Sequence, residues 1–373
     1  MASGVRWSGV YNPRSSIHVL RSMLYNSAVR ILAGILAVIA ALSLIGFGQG
    51  TPSEKTGVDS NLRGISVSRT GAGKYAVWAS GSNGAILRSL DGGQSWQQLK
   101  IESGTDLDFR DVEAFGAETA YAMSSGDGEK SSIYKTTDGG RSWAMQYTDK
   151  RPGFFLDSLA CDTRTHCLAL SDPVEGKFLI LSTDDGAHWK DMPRNRMPAA
   201  LPTEGAFAAS GTSIALCNKD VYFGTGGPSA RVFHSVDGGQ SWTATETPMA
   251  SGNGTSGIFS IACDGRHVVA VGGDYKSPDR KERVTAYSDD RGKTWRLADH
   301  PPSGYRSSVS IVSGTTFAVG PNGEDTSFDY GVNWKSVDTL NLNAAAFAAS
   351  RIGWAVGPGG TFKRFPMHGP EHR

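Results

Sequence analysis

The sequence is short of several features that would identify a function directly. Cysteine is scarce: 4 residues in 373 are too few for a disulfide scaffold. Charge of one sign is missing as well. Lys and Arg number 37 against 36 Asp and Glu, a formal net charge of +1, and no basic block stands out. That balance argues against a nucleic-acid binder. There is no dinucleotide fingerprint: Gly272-Gly273 follows a strand-like run but opens no G-x-G-x-x-G turn into a helix. The apolar run Ile31–Phe47 spans 17 residues, at the short edge of the roughly 20 that a membrane-spanning helix needs. With 39% hydrophobic and 20% charged residues, bulk disorder is excluded and a large core is affordable.

Acidic residues are absent from the first fifty positions, whose only formal charges are Arg6, Arg14, Arg21 and Arg30. A basic leader before an apolar run reads as a secretory signal or an N-terminal anchor helix. Met23 is an alternative start, with Arg30 then forming the basic part. Either reading places residues 51–373 outside the cytoplasm, in a periplasmic or extracellular setting. Without the four arginines, that part carries a net charge of −3.

Glycine and tryptophan are abundant, with 47 and 9 copies. Six Trp end the same octapeptide. The copies begin at Ser89, Thr136, Ser182, Ser235, Ser288 and Ser327. Their Asp residues are Asp91, Asp138, Asp184, Asp237, Asp290 and Asp329, and their Trp residues Trp96, Trp143, Trp189, Trp242, Trp295 and Trp334. The consensus is S/T-x-D-x-G-x-S/T-W, with His188 and Asn333 as departures at its seventh position. An Asp carboxylate accepts backbone N–H groups ahead of it, and Gly supplies the positive φ of a tight turn. This is the Asp-box, or bacterial neuraminidase repeat. One carboxylate per turn is too few for a calcium site, so these aspartates are expected to be structural. No metal or cofactor is implied.

Alternating apolar segments lie between the boxes, such as Arg63–Val67 with Tyr75–Ala79, and Gly205–Ala209 with Ser213–Leu216. Alternation between Gly-rich turns is strand patterning. Each unit therefore reads as strands a, b and c, a box turn, then strand d. Four strands per repeat of about 45 residues describe a propeller blade. A seventh unit without a box follows: Ala344–Ala348, Gly353–Gly357 and Thr361–Phe365. It lacks strand d, which residues 51–60 are expected to supply. The expected fold is an all-β, seven-bladed Asp-box propeller over 51–365, with a disordered tail at 366–373.

The boxes, and the Gly353-Trp-Ala-Val-Gly-Pro-Gly-Gly360 unit, resemble the photosystem II stability/assembly factor-like family over roughly residues 60–365. The resemblance implies an exported single-domain scaffold, expected as a monomer, that binds a protein partner during assembly of a membrane complex. Membrane contact would come only through the N-terminal segment. The box itself also occurs in sialidases and xyloglucanases, which makes an extracellular glycoside hydrolase or a carbohydrate-binding propeller the alternative. The Arg-Ile-Pro start of sialidases is absent.

In a propeller the a–b and c–d turns share one face, which holds the boxes. The b–c and d–a loops surround the channel mouth on the other, the default location of a site. Its partner-binding candidates are Arg110, Lys177, Asp274, Tyr275, Lys276, Tyr305 and Arg306. As catalytic candidates, Asp172, Glu175 and Glu204 would supply the carboxylate pair of a glycosidase. Cys161 and Cys167 flank an expected hairpin turn and are expected to form a disulfide. Cys217 and Cys263 read as buried thiols. His166 lacks a second ligand pair at zinc spacing.

Overall fold

The structure is a computed structural model that describes residues 53–348 and 352–366, with Met1 and Gly4 besides. The expectations for the leader and for the tail beyond Pro366 lie outside the described residues. Among the described residues, no helix is long and apolar enough to cross a membrane.

Seven antiparallel sheets follow one another along the chain. Blade 1 pairs Leu62–Gly71, Lys74–Gly81, Ile86–Ser89 and Gln97–Leu99 in order. Blade 2 uses Phe109–Phe115, Thr119–Ser124, Ser132–Thr136 and Ala144–Thr148. Blade 3 uses Leu156–Cys161, Cys167–Val174, Lys177–Thr183 and Lys190–Asp191. Blade 4 uses Ile214–Cys217, Asp220–Gly224, Arg231–Ser235 and Thr243–Glu246. Blade 5 uses Asn253–Asp264, His267–Asp274, Thr285–Ser288 and Arg296–Leu297, with Gly226–Gly227 added to its first strand. Blade 6 uses Ser308–Val312, Thr315–Gly320, Gly323–Ser327 and Lys335–Asp338. Blade 7 uses Ala344–Ala348, Ile352–Val356 and Thr361–Pro366, and Glu54–Lys55 completes it by pairing with Thr361 and Phe362. The expected donor of the missing strand is therefore the observed one.

The a strands of successive blades touch, and the seventh touches the first, so they ring a central channel. Short polar side chains knit this ring. Ser66 accepts Ala114 N–H at 3.0 Å, Asp111 accepts Leu159 N–H at 2.7 Å, and Ser158 accepts Ile214 N–H at 3.3 Å. Ser260 does the same for Val309 at 2.9 Å. Each bond satisfies a backbone donor that the four-stranded sheet leaves open at its inner edge.

The apolar core is divided among the blade interfaces. Trp78, Phe109 and Tyr134 pack between blades 1 and 2, and Tyr121, Leu156 and Leu179 between blades 2 and 3. Phe178, Phe223 and Trp242 fill the next interface, and Trp354 and Phe362 join blade 7 to blade 1. Sheets with both faces buried explain the near-continuous apolar b strands, such as Tyr75–Ala79.

Three details differ from the sequence reading. First, Gly205–Ala209 is not strand a of blade 4; that strand is Ile214–Cys217. Second, Cys217 and Cys263 are not free thiols. They are bonded to each other across blades 4 and 5, with Cα atoms 6.2 Å apart. The expected Cys161–Cys167 disulfide is present within blade 3. Third, the third box is one residue short. Its working carboxylate is Asp185, which accepts the N–H groups of Ala187 and His188 at 2.8 Å each. Asp184 instead pairs with Lys190 at 2.9 Å. The Asp-Asp pair offers two registers, and Thr183 decides by donating to Asp185.

Candidate partner-binding site

The site begins with a repeated irregularity. In the a strands of blades 1, 2, 3 and 5 the pairing slips by one residue near the loop-face end. The unpaired residues are Arg63, Arg110, Asp157 and Phe259. A bulge re-aims its extra side chain. Here each follows a buried apolar residue and precedes the residue at the ring, as in Leu62-Arg63-Gly64 and Phe109-Arg110-Asp111.

The long connection from Asp191 to Ile214 then crosses this ring. Ala208 O accepts Arg110 Nη1 of blade 2 at 2.7 Å, and Ser210 Oγ donates to Ser307 O, ahead of blade 6, at 2.7 Å. Thr212 Oγ1 bonds Ser260 Oγ of blade 5 at 2.6 Å. Ala206 N–H donates to Asp172 of blade 3 at 2.9 Å. A segment tied to the inner ends of blades 2, 3, 5 and 6 must lie over the channel axis. Its small residues fit there: the carboxylate of Asp111 lies where a Cβ on Gly211 would stand. Buried Ala206, Ala208 and Ala209, with Gly205 and Phe207 half-buried between them, explain why Gly205–Ala209 carries the alternating apolar pattern of a strand.

Around this plug lies an aromatic and cationic patch. Phe207 stacks on Phe259 with centroids 3.7 Å apart. Tyr305 and Tyr275 meet Phe259 edge-on at 4.8 and 6.1 Å. Tyr275 is 47% exposed, and Lys276 beside it is exposed too. Burial, then the charge of Arg110, lower the Arg63 pKa, while Asp108 and Tyr305 oppose this. Among the described residues, Arg63 Nε is shut off from solvent with no hydrogen-bond partner. Arg110 is held by Asp108, whose Oδ2 accepts its Nε at 2.7 Å. Burial, then the charge of Asp172, push the Asp157 carboxyl well above the ordinary range.

The other candidates divide. Asp274 accepts the Thr255 hydroxyl at 2.8 Å and Lys276 N–H at 3.0 Å, which shapes the loop carrying Tyr275. Lys177 donates its ammonium to Arg194 O at 2.8 Å. Arg306 does not face a partner. It is 0% exposed, ion-paired with Asp325, and also donates to Tyr305 O at 2.8 Å. Tyr305 is buried as well, which pushes its hydroxyl pKa up. Glu204 is equally committed: its side chain is 0% exposed and ion-paired with Arg231. It also accepts Thr225 Oγ1 at 2.6 Å and Leu201 N–H at 2.8 Å. Glu175 points to Arg194 at 3.4 Å from an exposed turn. Asp172 lines an open groove of 560 Å³ together with Pro173, Leu201 and Pro202. Burial raises its carboxyl to about 6. The proposed carboxylate pair therefore loses Glu204, whose oxygens are spent on fixing the plug.

The missed residue is Arg63. Its equivalence to Arg110 emerges only when the blades are aligned on the bulge, which falls just inside the strand start.

Residues 53–198 match the family model described as photosynthesis system II assembly factor YCF48, and residues 286–297 match that of the BNR/Asp-box repeat. The resemblance read from the boxes is thereby borne out. No curated protein matches this chain. Among solved structures, YCF48 bound to a D1 peptide superposes with a TM-score of 0.61 at 14% identity, covering 86% of this chain and 97% of that one. YCF48 from Cyanidioschyzon merolae gives 0.61 at 17% identity, covering 85% and 99%. The computationally designed Ika8 protein gives 0.51 at 12% identity, covering 85% and 99%. At such identities these likenesses concern the fold.

Proposed function

We propose that the protein is an exported, monomeric, non-enzymatic scaffold that binds a segment of a protein partner, itself part of a membrane complex, at the plugged channel mouth. The observation that carries this reading is the bulged pair Arg63 and Arg110, two half-buried cations close enough to act on each other at the channel mouth. Neighbouring guanidinium groups that are only half-buried offer charge-assisted hydrogen bonds to the carboxylate of an acidic ligand. Tyr275 and Phe207 supply the aromatic contact area typical of interface anchors. The YCF48 structure with a bound D1 peptide supports a peptide as ligand. The basic leader before Ile31 supports export.

The test is fluorescence anisotropy with acidic and charge-neutral peptides, alongside capture of a membrane complex from host membranes. Acidic peptides are expected to bind more tightly, with affinity falling at least ~tenfold in Arg63→Gln and Arg110→Gln. Unchanged binding in both variants would remove the mouth from the interface. Turnover of a fluorogenic glycoside panel, abolished by Asp172→Asn, would overturn the non-enzymatic reading.

A further inference from the structure

A second concavity adjoins the arginine mouth. It has a volume of 360 Å³ and is lined chiefly by Asp106, Leu107, Asp108, Asp127, Lys130 and Phe155. Three connections build it: the approach to blade 2, the b–c loop of that blade, and the approach to blade 3. Its walls are of two kinds. Leu107, buried, and Phe155, half-buried, form an apolar side. Three carboxylates oppose the single ammonium of Lys130. Among the described residues, those of Asp106 and Asp127 pair with no cation and are exposed. Asp108 is shared with the mouth. Its Oδ2 holds Arg110, while its Oδ1 is closed off from solvent with no hydrogen-bond partner among the described residues.

An apolar wall beside an excess of negative charge suits one chemistry: a long aliphatic stem ending in a cation. A guanidinium can hydrogen-bond more than one carboxylate in a planar fork, whereas an ammonium acts as a point charge. The larger groove between blades 3 and 4 offers less, because Glu204 is spent on Arg231 and Lys177 and Arg194 flank Glu175.

We propose that this pocket binds a basic side chain, arginine in preference to lysine, borne by the same partner segment whose acidic group lies on Arg63 and Arg110. The proposal rests on the function inferred above. It adds a specificity rule: the segment presents opposite charges at a fixed spacing, with Asp108 between the two subsites.

The first experiment does not depend on the mouth. N-acetyl-argininamide is titrated into the full chain and followed by amide NMR. Shifts are expected at Ser125, Gly126 and Asp127, with a dissociation constant of about 1–10 mM. Asp106→Asn/Asp127→Asn alters only exposed residues and should keep the wild-type melting temperature while weakening binding at least ~tenfold. N-acetyl-glutaminamide, the neutral control, should not bind. Absence of shifts, equal binding by the double variant, or equal binding of the neutral control would overturn the pocket. In the second experiment an arginine is scanned through an acidic peptide. One position should gain affinity, and the gain should vanish in Asp106→Asn/Asp127→Asn, while Arg63→Gln weakens every peptide. Acidic peptides that bind without a position-dependent gain count against the pocket alone. Binding of N-acetyl-argininamide without acidic-peptide binding counts against the mouth alone.

Discussion

The box aspartates illustrate how one side chain can close a turn and fix a neighbour at once. Asp237 accepts the N–H groups of Gln240 and Ser241 and the hydroxyls of Ser235 and Ser241, at 2.6–3.0 Å. Those bonds, led by that from the Ser241 hydroxyl, hold its carboxyl down to about 2. Asn333 replaces the seventh-position hydroxyl in the sixth box and donates its amide to Asp329 at 2.7 Å. Gly93, in the first box, has φ +91° and sits where a Cβ would run into the ring of Phe362, on the preceding blade. The box thus needs glycine both for its turn and for close approach. The sign of the pH dependence follows. A carboxyl depressed on folding contributes stability that is whole above its unfolded pKa, near 3.8, and lost as pH falls through its folded value. Asp91, Asp237 and Asp290 all lie near 2, so acid unfolding should carry a box contribution between about pH 4 and pH 2. Asp237→Ala should remove its share and, with the exposure of the turn discounting these bonds, cost about 1 kcal/mol at neutral pH, measured by urea unfolding. In the third box, Asp185→Ala should lower the melting temperature while Asp184→Ala leaves it unchanged. The opposite result would restore the register suggested by the octapeptide.

At the scale of elements, the strand pattern was readable where a strand has buried neighbours on both sides and Gly-rich turns at its ends. It misled at Gly205–Ala209, because the segment plugging the channel alternates half-buried and buried apolar residues much as a strand with one covered face does. Hydrogen bonds to four different blades, not local pattern, define that plug, and sequence periodicity carries no information about them. The cysteines divide similarly. Cys161 and Cys167 face each other in one hairpin register, so their bond was legible from spacing. Cys217 and Cys263 end the a strands of adjacent blades, a proximity that appears only once blade 4 is assigned its true first strand. Their separations of 6 and 46 residues predict unequal effects. On the loop-entropy model the short loop is worth about 2 kcal/mol and the long one about 4. Cys217→Ser/Cys263→Ser should therefore destabilise the protein about twice as much as Cys161→Ser/Cys167→Ser in denaturant titrations. Equal effects would mean that strain or residual structure, not chain constraint, sets the contribution.

At the scale of the whole molecule, six boxes and seven strand sets specified the propeller, but the site depends on how blades meet. Arg63 and Arg110 lie 47 positions apart and become neighbours only because their a strands bulge at the same point of the ring. The ring in turn depends on a closure that joins the two ends of the described chain. Glu54 and Lys55 pair with Phe362 and Thr361, Lys55 donates its ammonium to Gly359 O at 2.8 Å, and Trp354 Nε1 donates to Gly92 O at 2.9 Å. Asn343 adds a bond from blade 7 to Leu62 O at 2.7 Å. Only the first pairing covers the outer edge of strand Thr361–Pro366, so its loss exposes a strand edge open to another chain. Deleting residues 53–60 removes that strand and takes Val58 out of the apolar interface between blades 7 and 1, while the contacts of Trp354 with Tyr75 and of Phe362 with Trp96 are kept. The truncated protein should keep its β-sheet circular dichroism, melt at a lower temperature, and self-associate more than the parent in sedimentation velocity. Because Arg63 follows directly on this closing segment, acidic-peptide affinity should fall together with ring stability. A truncation that associates no more than the parent and binds peptide as well would show that the channel mouth is held by blade packing alone.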